Sequence, residues 1–112
     1  MNKIERRLRR KKGIRKLIHG TSSKPRVSVF KSNRHLYAQA IDDDKGVTLC
    51  SASDFDEGIK GDKAGAALLG ELLAKKLKDH KIKEAVFDRN GYKYHGLVKG
   101  VCEGARKGGL KV

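Results

Sequence analysis

The sequence predicts a mixed α/β domain, in which helices pack on one small sheet, preceded by a flexible basic arm. Residues 26–53 carry apolar side chains with a period of two, which is typical of β-strands, and residues 61–80 and 95–107 carry them at helical spacing. A short apolar run between the two helices completes a strand–helix–strand crossover, and such crossovers join parallel strands. The prediction is a three-stranded antiparallel meander to which the crossover adds one parallel strand. The 112 residues suffice for one domain with a modest core.

Residues 1–23 form the arm, which concentrates positive charge. The first 20 residues hold nine of the 27 Lys and Arg residues but one of the 13 acidic residues, in a chain with a net charge of +14. Blocks of like charge repel each other, so the arm is predicted to be disordered in the free protein. Ile4 and Leu8 are spaced for one helix face, so a helix can form once a polyanion neutralises the charge. A solvated tail without a function is the alternative.

The globular domain is predicted for residues 24–112 and begins with the meander. Pro25 suits the first position of a strand, where its missing N–H costs least. Strands and the turns between them alternate, with strands at residues 26–32, 35–41 and 47–53 and turns at residues 32–34 and 42–46. Helices are expected to cover the aliphatic face of the strands. That face carries Val27, Val29, Leu36, Ala38, Ala40 and Leu49.

The opposite face of the meander, named the polar face below, mixes rings with hydrogen-bonding groups. It carries Ser28, Phe30, Ser32, Tyr37 and Gln39, with Arg26 and Arg34 at its edges. Exposed rings among polar groups on a sheet can stack on and read nucleotides. A second helix that covers Phe30 and Tyr37 is the alternative.

Two helices and a short strand follow the meander. Residues 61–80 are predicted to form a long helix, because its apolar residues fall on one side: Ala66, Leu69, Leu73 and Leu77. Residues 85–87 are the buried strand that the crossover adds.

The last helix, predicted for residues 95–107, carries glycine at every fourth position along one edge, from Gly96 to Gly108. Each interior glycine costs about 1 kcal/mol relative to alanine, so this helix needs support from packing. Packing of the glycine edge on the sheet is expected, and close approach of an RNA phosphate is the alternative. Gly108 and Gly109 mark the end of the helix.

Residues 87–96, FDRNGYKYHG, connect the last strand to the last helix and combine rings, cations and glycine. Asn90 and Gly91 predict a turn. Aromatic faces suit unpaired bases, cations suit phosphates and glycine lets a backbone approach closely, so this loop favours RNA binding. Tyrosines that pack on their own domain are the alternative, and His95 can equally be a packed residue at the start of the helix.

The sequence does not predict catalysis or metal binding. A nuclease site needs several carboxylates that converge on divalent metals, whereas residues 42–44 suit a turn and Asp88 has no evident partner in the sequence. Cys50 and Cys102 lack metal-ligand spacing and are predicted to be small buried residues of a reducing compartment. We therefore expect no enzyme and no cofactor. Since neither a signal peptide nor a long apolar run is evident, we expect a cytosolic protein.

Four stretches of the sequence resemble one family of ribosomal proteins. They are residues 20–21 (GT), 25–33 (PRVSVFKSN), 35–39 (HLYAQ) and 87–96 (FDRNGYKYHG). In order and spacing they closely resemble the bacterial large-subunit ribosomal proteins numbered eighteen, a family that binds 5S ribosomal RNA (5S rRNA). The resemblance extends over nearly the whole chain, although the last helix is richer in glycine than that family leads us to expect.

The resemblance implies a fold, a location and partners. The implied fold is a mixed sheet with helices and a ribonuclease H-like topology. The implied location is the central protuberance of the large subunit, where the protein, a monomer when free, helps to attach 5S rRNA to 23S rRNA beside neighbouring 5S-binding ribosomal proteins. A generic basic RNA-binding or RNA-chaperone module outside the ribosome is the alternative, because composition alone does not separate the two.

The residues and the resemblance together predict three RNA-binding surfaces. The arm neutralises phosphates through Arg6, Arg7, Arg9, Arg10, Lys11, Lys12, Arg15 and Lys16. The first hairpin clamps backbone with Arg26, Lys31, Asn33 and Arg34 and offers stacking and hydrogen bonds from Phe30, Tyr37 and Gln39. The loop at residues 87–96 uses Arg89, Lys93 and His95 for phosphates or base edges, Tyr92 and Tyr94 for stacking, and Gly91 for close approach.

Overall fold

A mixed sheet organises the part of the chain that the computed structural model describes, which is residues 2–32, 35–54, 58–59, 63–92 and 96–112. The strands are β1 (Arg26–Lys31), β2 (Leu36–Asp42), β3 (Val47–Ser53) and β4 (Val86–Asp88), and the helices are α1 (Lys3–Leu17), α2 (Lys63–Asp79) and α3 (Gly96–Lys107). The strand order is β3-β2-β1-β4, with antiparallel pairs in the meander and a parallel pair between β1 and β4. The predicted meander and the parallel strand that follows α2 are therefore confirmed.

The bounds of the elements differ little from the prediction. β3 has the predicted bounds, and β2 begins and ends one residue later than predicted, at Leu36 and Asp42. Asp42 accepts hydrogen bonds from the backbone N–H groups of Asp44 and Lys45 at 3.0 and 3.3 Å, so the acidic run acts as a turn, as predicted. Residues 33 and 34 of the first predicted turn (32–34) and the predicted helix starts at residues 61 and 95 lie outside the described residues.

The core lies between the sheet and the helices α2 and α3. The aliphatic side chains of β1 and β2 that were predicted to face it are at most 2% exposed. The predicted stripe of α2 is completely buried; it consists of Ala66, Leu69, Leu73 and Leu77. Val98 and Val101 of α3 belong to the same cluster. Removal of this apolar surface from water is the main stabilising term of the fold.

A bulge in β3 changes which of its side chains reach the core. The pairing with β2 shifts after Ala40, whose partner is Cys50, and Leu49 is the extra residue that the bulge inserts. Leu49 and Cys50 pack on the core but are only partly buried, so full burial holds for Cys102 and not for Cys50. Burial raises the pKa of the Cys50 thiol, although the charge of Lys76 opposes this, and the thiol stays protonated at neutral pH.

The glycines of α3 bring its backbone against α2. A Cβ on Gly104 would overlap the carbonyl oxygen of Ala67, and one on Gly70 would overlap that of Val101. The glycine edge was predicted to pack on the sheet. This prediction was wrong, because the edge packs on α2. The apolar stripe of α3 already covers the core, so the glycine edge beside it faces the neighbouring helix. The helix ends as predicted, with Gly109 at a φ of 95°.

The basic arm contains a helix, α1, which has a capped start and whose described apolar side chains are exposed. The Asn2 side chain accepts a hydrogen bond of 2.8 Å from the N–H of Glu5, which satisfies one free donor of the first turn. Ile4 and Leu8 are 69% and 50% exposed. The arm meets the domain before residue 24, since the N–H of Gly20 donates to the Asp43 carboxylate at 2.7 Å. Disorder of the arm in the free protein stays a prediction.

None of the helices described is both long enough and apolar enough to span a membrane.

Candidate nucleic-acid interface

The polar face of the sheet is a ladder of cross-strand pairs. From one end to the other, the pairs are Arg26 with Ile41, Ser28 with Gln39, and Phe30 with Tyr37. Successive side chains of a strand point to opposite faces, and residues two apart are about 7 Å from each other. The burial of Val27 and Val29 therefore places the side chains of this ladder on the face away from the core.

The aromatic pair lies at the open end of this ladder. The ring centroids of Phe30 and Tyr37 are 6.0 Å apart at an angle of 42°, and His35 meets Tyr37 edge-on at 6.5 Å. Phe30 is 48% exposed and Tyr37 is partly buried. The helices in the described part of the chain thus leave a ring of this face open to solvent, and the predicted alternative of a covering helix does not hold for Phe30.

A groove runs along the polar face and is bounded by α1. Its volume is about 640 Å³. Its lining includes Lys11 of α1, Asn90 of the turn that follows β4, and the side chains of the ladder. No described residue hydrogen-bonds the side chains of Ser28 or Gln39, so their polar groups are available to a ligand in the groove. One hydroxyl, one amide and two rings with a lysine alongside form the kind of surface that binds nucleotides.

The arm lies at the edge of the groove because α1 docks on the predicted turn at Asn90 and Gly91. Asn90 and Gly91 have φ angles of 55° and 77°, and the N–H of Tyr92 closes the turn on the carbonyl of Arg89 at 3.0 Å. Arg10 donates from Nε to the carbonyl of Gly91 at 2.9 Å. A Cβ on Gly91 would overlap the backbone carbonyl oxygen of Arg7. Glycine is needed here so that α1 can approach, and the close approach of RNA at Gly91 stays a prediction.

Tyr92 joins the arm to the first hairpin. The guanidinium carbon of Arg7 lies 4.2 Å from the centroid of the Tyr92 ring, a cation–π contact. The Tyr92 hydroxyl donates to the carbonyl of Lys31 at 2.9 Å and accepts from the N–H of Lys31 at 3.2 Å. Tyr92 therefore packs on its own protein, which was the alternative to stacking on RNA. A cation lies against the ring, and stacking of the ring on RNA stays a prediction.

Arg26 is held in an ion cluster, defined here as Arg26, Asp43 and Asp88. Its Nε and Nη2 donate to the two oxygens of Asp43 at 3.0 and 3.1 Å, and its Nη1 donates to Asp88 at 2.7 Å. The Arg26 and Asp43 side chains are 12% exposed and that of Asp88 is 1% exposed. Burial lowers the pKa of Arg26, but the hydrogen bonds and charges of both carboxylates outweigh it, so the pKa is raised.

The ion cluster limits the predicted role of Arg26. Three of its five N–H donors are used within the protein, and contact of the other two with a phosphate stays a prediction. The cluster also gives Asp88 the partner that the sequence did not reveal, and Asp88 further accepts from the N–H of Asn90 at 2.8 Å. The strand order brings Arg26 and Asp88 together, because β1 and β4 are neighbours and Ser28 of β1 pairs with Asp88 of β4.

The described cations of α1 divide between two sides of the helix. At about 100° per residue, the partly buried residues Arg7, Arg10 and Lys11 share one side of α1. The opposite side is exposed and carries Arg6, Arg9 and Lys12. Arg15 and Lys16 continue the helix, but their side chains lie outside the described part of the structure.

The other predicted site residues divide between the hairpin and the loop. Lys31 is exposed beside the polar face, and Arg89 is partly buried next to the turn. The residues outside those described are Asn33, Arg34, Lys93, Tyr94 and His95. Within the described residues, no group of three or more His, Cys, Asp or Glu side chains could hold a metal ion.

Comparison with known proteins identifies relatives over the whole chain. A family model described as "Ribosomal L18 of archaea, bacteria, mitoch. and chloroplast" matches residues 1–112. Large ribosomal subunit protein uL18 of Campylobacter hominis is 52% identical over 110 residues, covering 98% of this chain and 93% of the relative. The protein of the same name from Nitratidesulfovibrio vulgaris (strain DP4) is 50% identical over 114 residues, covering 97% and 96%. That of Petrotoga mobilis is 53% identical over 104 residues, covering 88% and 85%. The chain therefore belongs to the ribosomal L18 family and is a structural protein of the large ribosomal subunit in the cytoplasm, not an enzyme.

Proposed function

We propose that the protein binds 5S rRNA and helps to attach it to 23S rRNA. The observation that carries this proposal is the arrangement of α1 beside the polar face. One helix supplies a row of exposed cations, and the adjoining groove supplies an exposed ring with free hydrogen-bonding groups. Membership of a ribosomal family supports RNA as the polyanion that the net charge of +14 requires.

The two parts of the surface have different tasks. Cations that neutralise phosphates contribute affinity and its dependence on salt, but they choose little among sequences. We assign this task to the exposed side of α1 and to Lys31 in the first hairpin. The polar face contributes selectivity, because stacking and hydrogen bonds to base edges depend on which bases are unpaired. Asn33, Arg34, Lys93, Tyr94 and His95 remain proposed RNA contacts.

The two-sided character of α1 supports the attachment role. Its inner side is occupied by the turn at Asn90 and Gly91, whereas its outer side is free. An RNA that lies in the groove and a second RNA that lies along the outer side of α1 could both be held by one small protein. This arrangement is what a protein that joins 5S rRNA to 23S rRNA requires.

Binding of fluorescently labelled 5S rRNA to the full-length protein tests the proposal. We expect binding at moderate ionic strength that survives an equal mass of transfer RNA. Equal competition by transfer RNA would instead indicate a generic RNA-binding module, and absence of binding by the folded protein would overturn the proposal.

Deletion of residues 2–17 tests the role of the arm. For each phosphate that the shortened protein no longer neutralises, the slope of log K against log salt should fall by about 0.7 on a single-stranded scale. A matched variant, Lys75→Ala on the exposed surface of α2, should keep the slope of the wild type. An unchanged slope after the deletion would show that α1 does not neutralise phosphates.

A further inference from the structure

We propose that the groove between α1 and the polar face binds a single unpaired nucleotide of the RNA, with the base stacked on Phe30 and the phosphate at Lys11. This inference rests on the proposed function and specifies its ligand. The groove volume of about 640 Å³ falls within the range of about 300–1,000 Å³ that is usual for small-ligand sites. A double helix does not enter a groove of this size, whereas one nucleotide that leaves its stack does.

The base position follows from the ladder of cross-strand pairs. Phe30 is the large exposed ring of the face, and its 42° angle to Tyr37 means that a flat base stacks on one of the two rings rather than on both. Ser28 and Gln39 lie one step along the ladder, about 7 Å away, which places them under the edge of a base that covers Phe30. An amide both donates and accepts, so Gln39 can pair with the edge of a base.

The phosphate position follows from the charges at the two sides of the groove. The ion cluster of Arg26, Asp43 and Asp88 has one positive and two negative groups, so its formal charge is negative and it repels a phosphate. Lys11, on the α1 side, makes no ion pair with a described residue. The nucleotide is therefore oriented with its phosphate towards α1 and its base over the sheet.

The groove exists as a site because α1 is docked. Lys11 lies on the same side of α1 as Arg7 and Arg10, which hold the helix on Tyr92 and Gly91. Release of α1 would remove the Lys11 wall and leave an open sheet face. Capture of the nucleotide and ordering of the arm are thus coupled, so each favours the other.

An NMR titration of the full-length protein with adenosine or uridine monophosphate tests the site directly. We expect amide shifts clustered at residues 28–30 and 37–39 and at Lys11. Ribose 5-phosphate, which has the sugar and phosphate without a base, is the matched control and should shift Lys11 but not the strand residues. Identical shifts with both probes, or shifts confined to α1, would overturn the proposal and leave phosphate binding only.

The variant Phe30→Ala tests the same site in the complete RNA. Loss of one stacked base should weaken 5S rRNA binding by roughly 5- to 140-fold without a change in salt slope, because the same phosphates stay neutralised. Leu68→Ala on α2 is the matched control, since Leu68 is 51% exposed and Phe30 is 48% exposed. If Phe30→Ala binds like the wild type, the nucleotide site is overturned and the proposed function stands. If the wild type itself fails to bind 5S rRNA, the proposed function fails, and the nucleotide titration decides the site by itself.

Discussion

The helices α1 and α2 have similar lengths, 15 and 17 residues, but they are held in place by different forces. α2 buries four apolar side chains completely, whereas α1 leaves Ile4 and Leu8 exposed and contacts the domain through Arg7 and Arg10. Apolar burial is nearly insensitive to salt and is shared with the whole core. The comparison indicates that α2 is part of the apolar core, while α1 is held on the domain by polar contacts.

The magnitudes support this division. A cation–π contact is worth about 0.5–2 kcal/mol, and one hydrogen bond contributes about 0.5–1.5 kcal/mol net. Ordering a residue costs about 1–2 kcal/mol of backbone entropy, and Nε of Arg7 is buried without a hydrogen-bond partner among the described residues. The contacts of α1 with the turn are therefore marginal against the cost of ordering the arm. This balance makes the docking of α1 weak, and disorder of the arm in the free protein stays a prediction.

The largest contrast is expected from truncation of one leucine in each helix. Leu73→Ala in α2 should reduce the free energy of unfolding by about 2–5 kcal/mol, because it leaves a cavity in a fully buried site. Leu8→Ala in α1 should change it by less than about 0.5 kcal/mol. Urea denaturation followed by circular dichroism measures both. Similar losses for the two variants would show that α1 belongs to the cooperative core.

A glycine-to-alanine pair sharpens the comparison further. Gly104→Ala should destabilise the protein by about 1–3 kcal/mol, since the new methyl group meets the Ala67 carbonyl of α2. Gly13→Ala in α1 meets no atom within 4 Å, so it should stabilise that helix by about 0.5–1 kcal/mol. Thermal unfolding detects the first change, and amide exchange of α1 detects the second. Stabilisation by Gly104→Ala would contradict the close approach of the two helices.

The smallest effect is expected at the contact that holds α1. Tyr92→Ala removes the ring under Arg7, so amide protection in α1 should fall by an amount equivalent to about 0.5–1.5 kcal/mol, with little change in the core. Tyr92→Phe keeps the ring and removes only the hydroxyl bonds to Lys31, so α1 should remain docked. Hydrogen exchange measured by NMR separates these outcomes. Equal amide protection of α1 in the wild type and in Tyr92→Ala would show that Tyr92 does not hold α1 on the domain.

The sequence was least informative about residues that were predicted to contact RNA and that contact other parts of the protein. Arg26 resembles any cation at the edge of a sheet, and the carboxylate that holds its Nη1 is 62 positions away in the chain. Gly91 and Tyr92 have the composition of an RNA-binding loop, yet α1 occupies both. A guanidinium meets a carboxylate, a ring or a phosphate with the same chemistry. The sequence therefore predicts that such residues bind something, and only the fold decides what they bind.

The sequence by itself determined the strands, the buried faces and the core stripe of α2, and its four quoted stretches already indicated the family. These features follow from local chain geometry, because a period of two or of 3.6 decides which side chains share a face. Only the tertiary structure decided that the glycine edge of α3 meets α2, that Arg26 is neutralised by Asp43 and Asp88, and that α1 docks on Tyr92. Those contacts depend on distances between residues far apart in the chain, and periodicity carries no information about them.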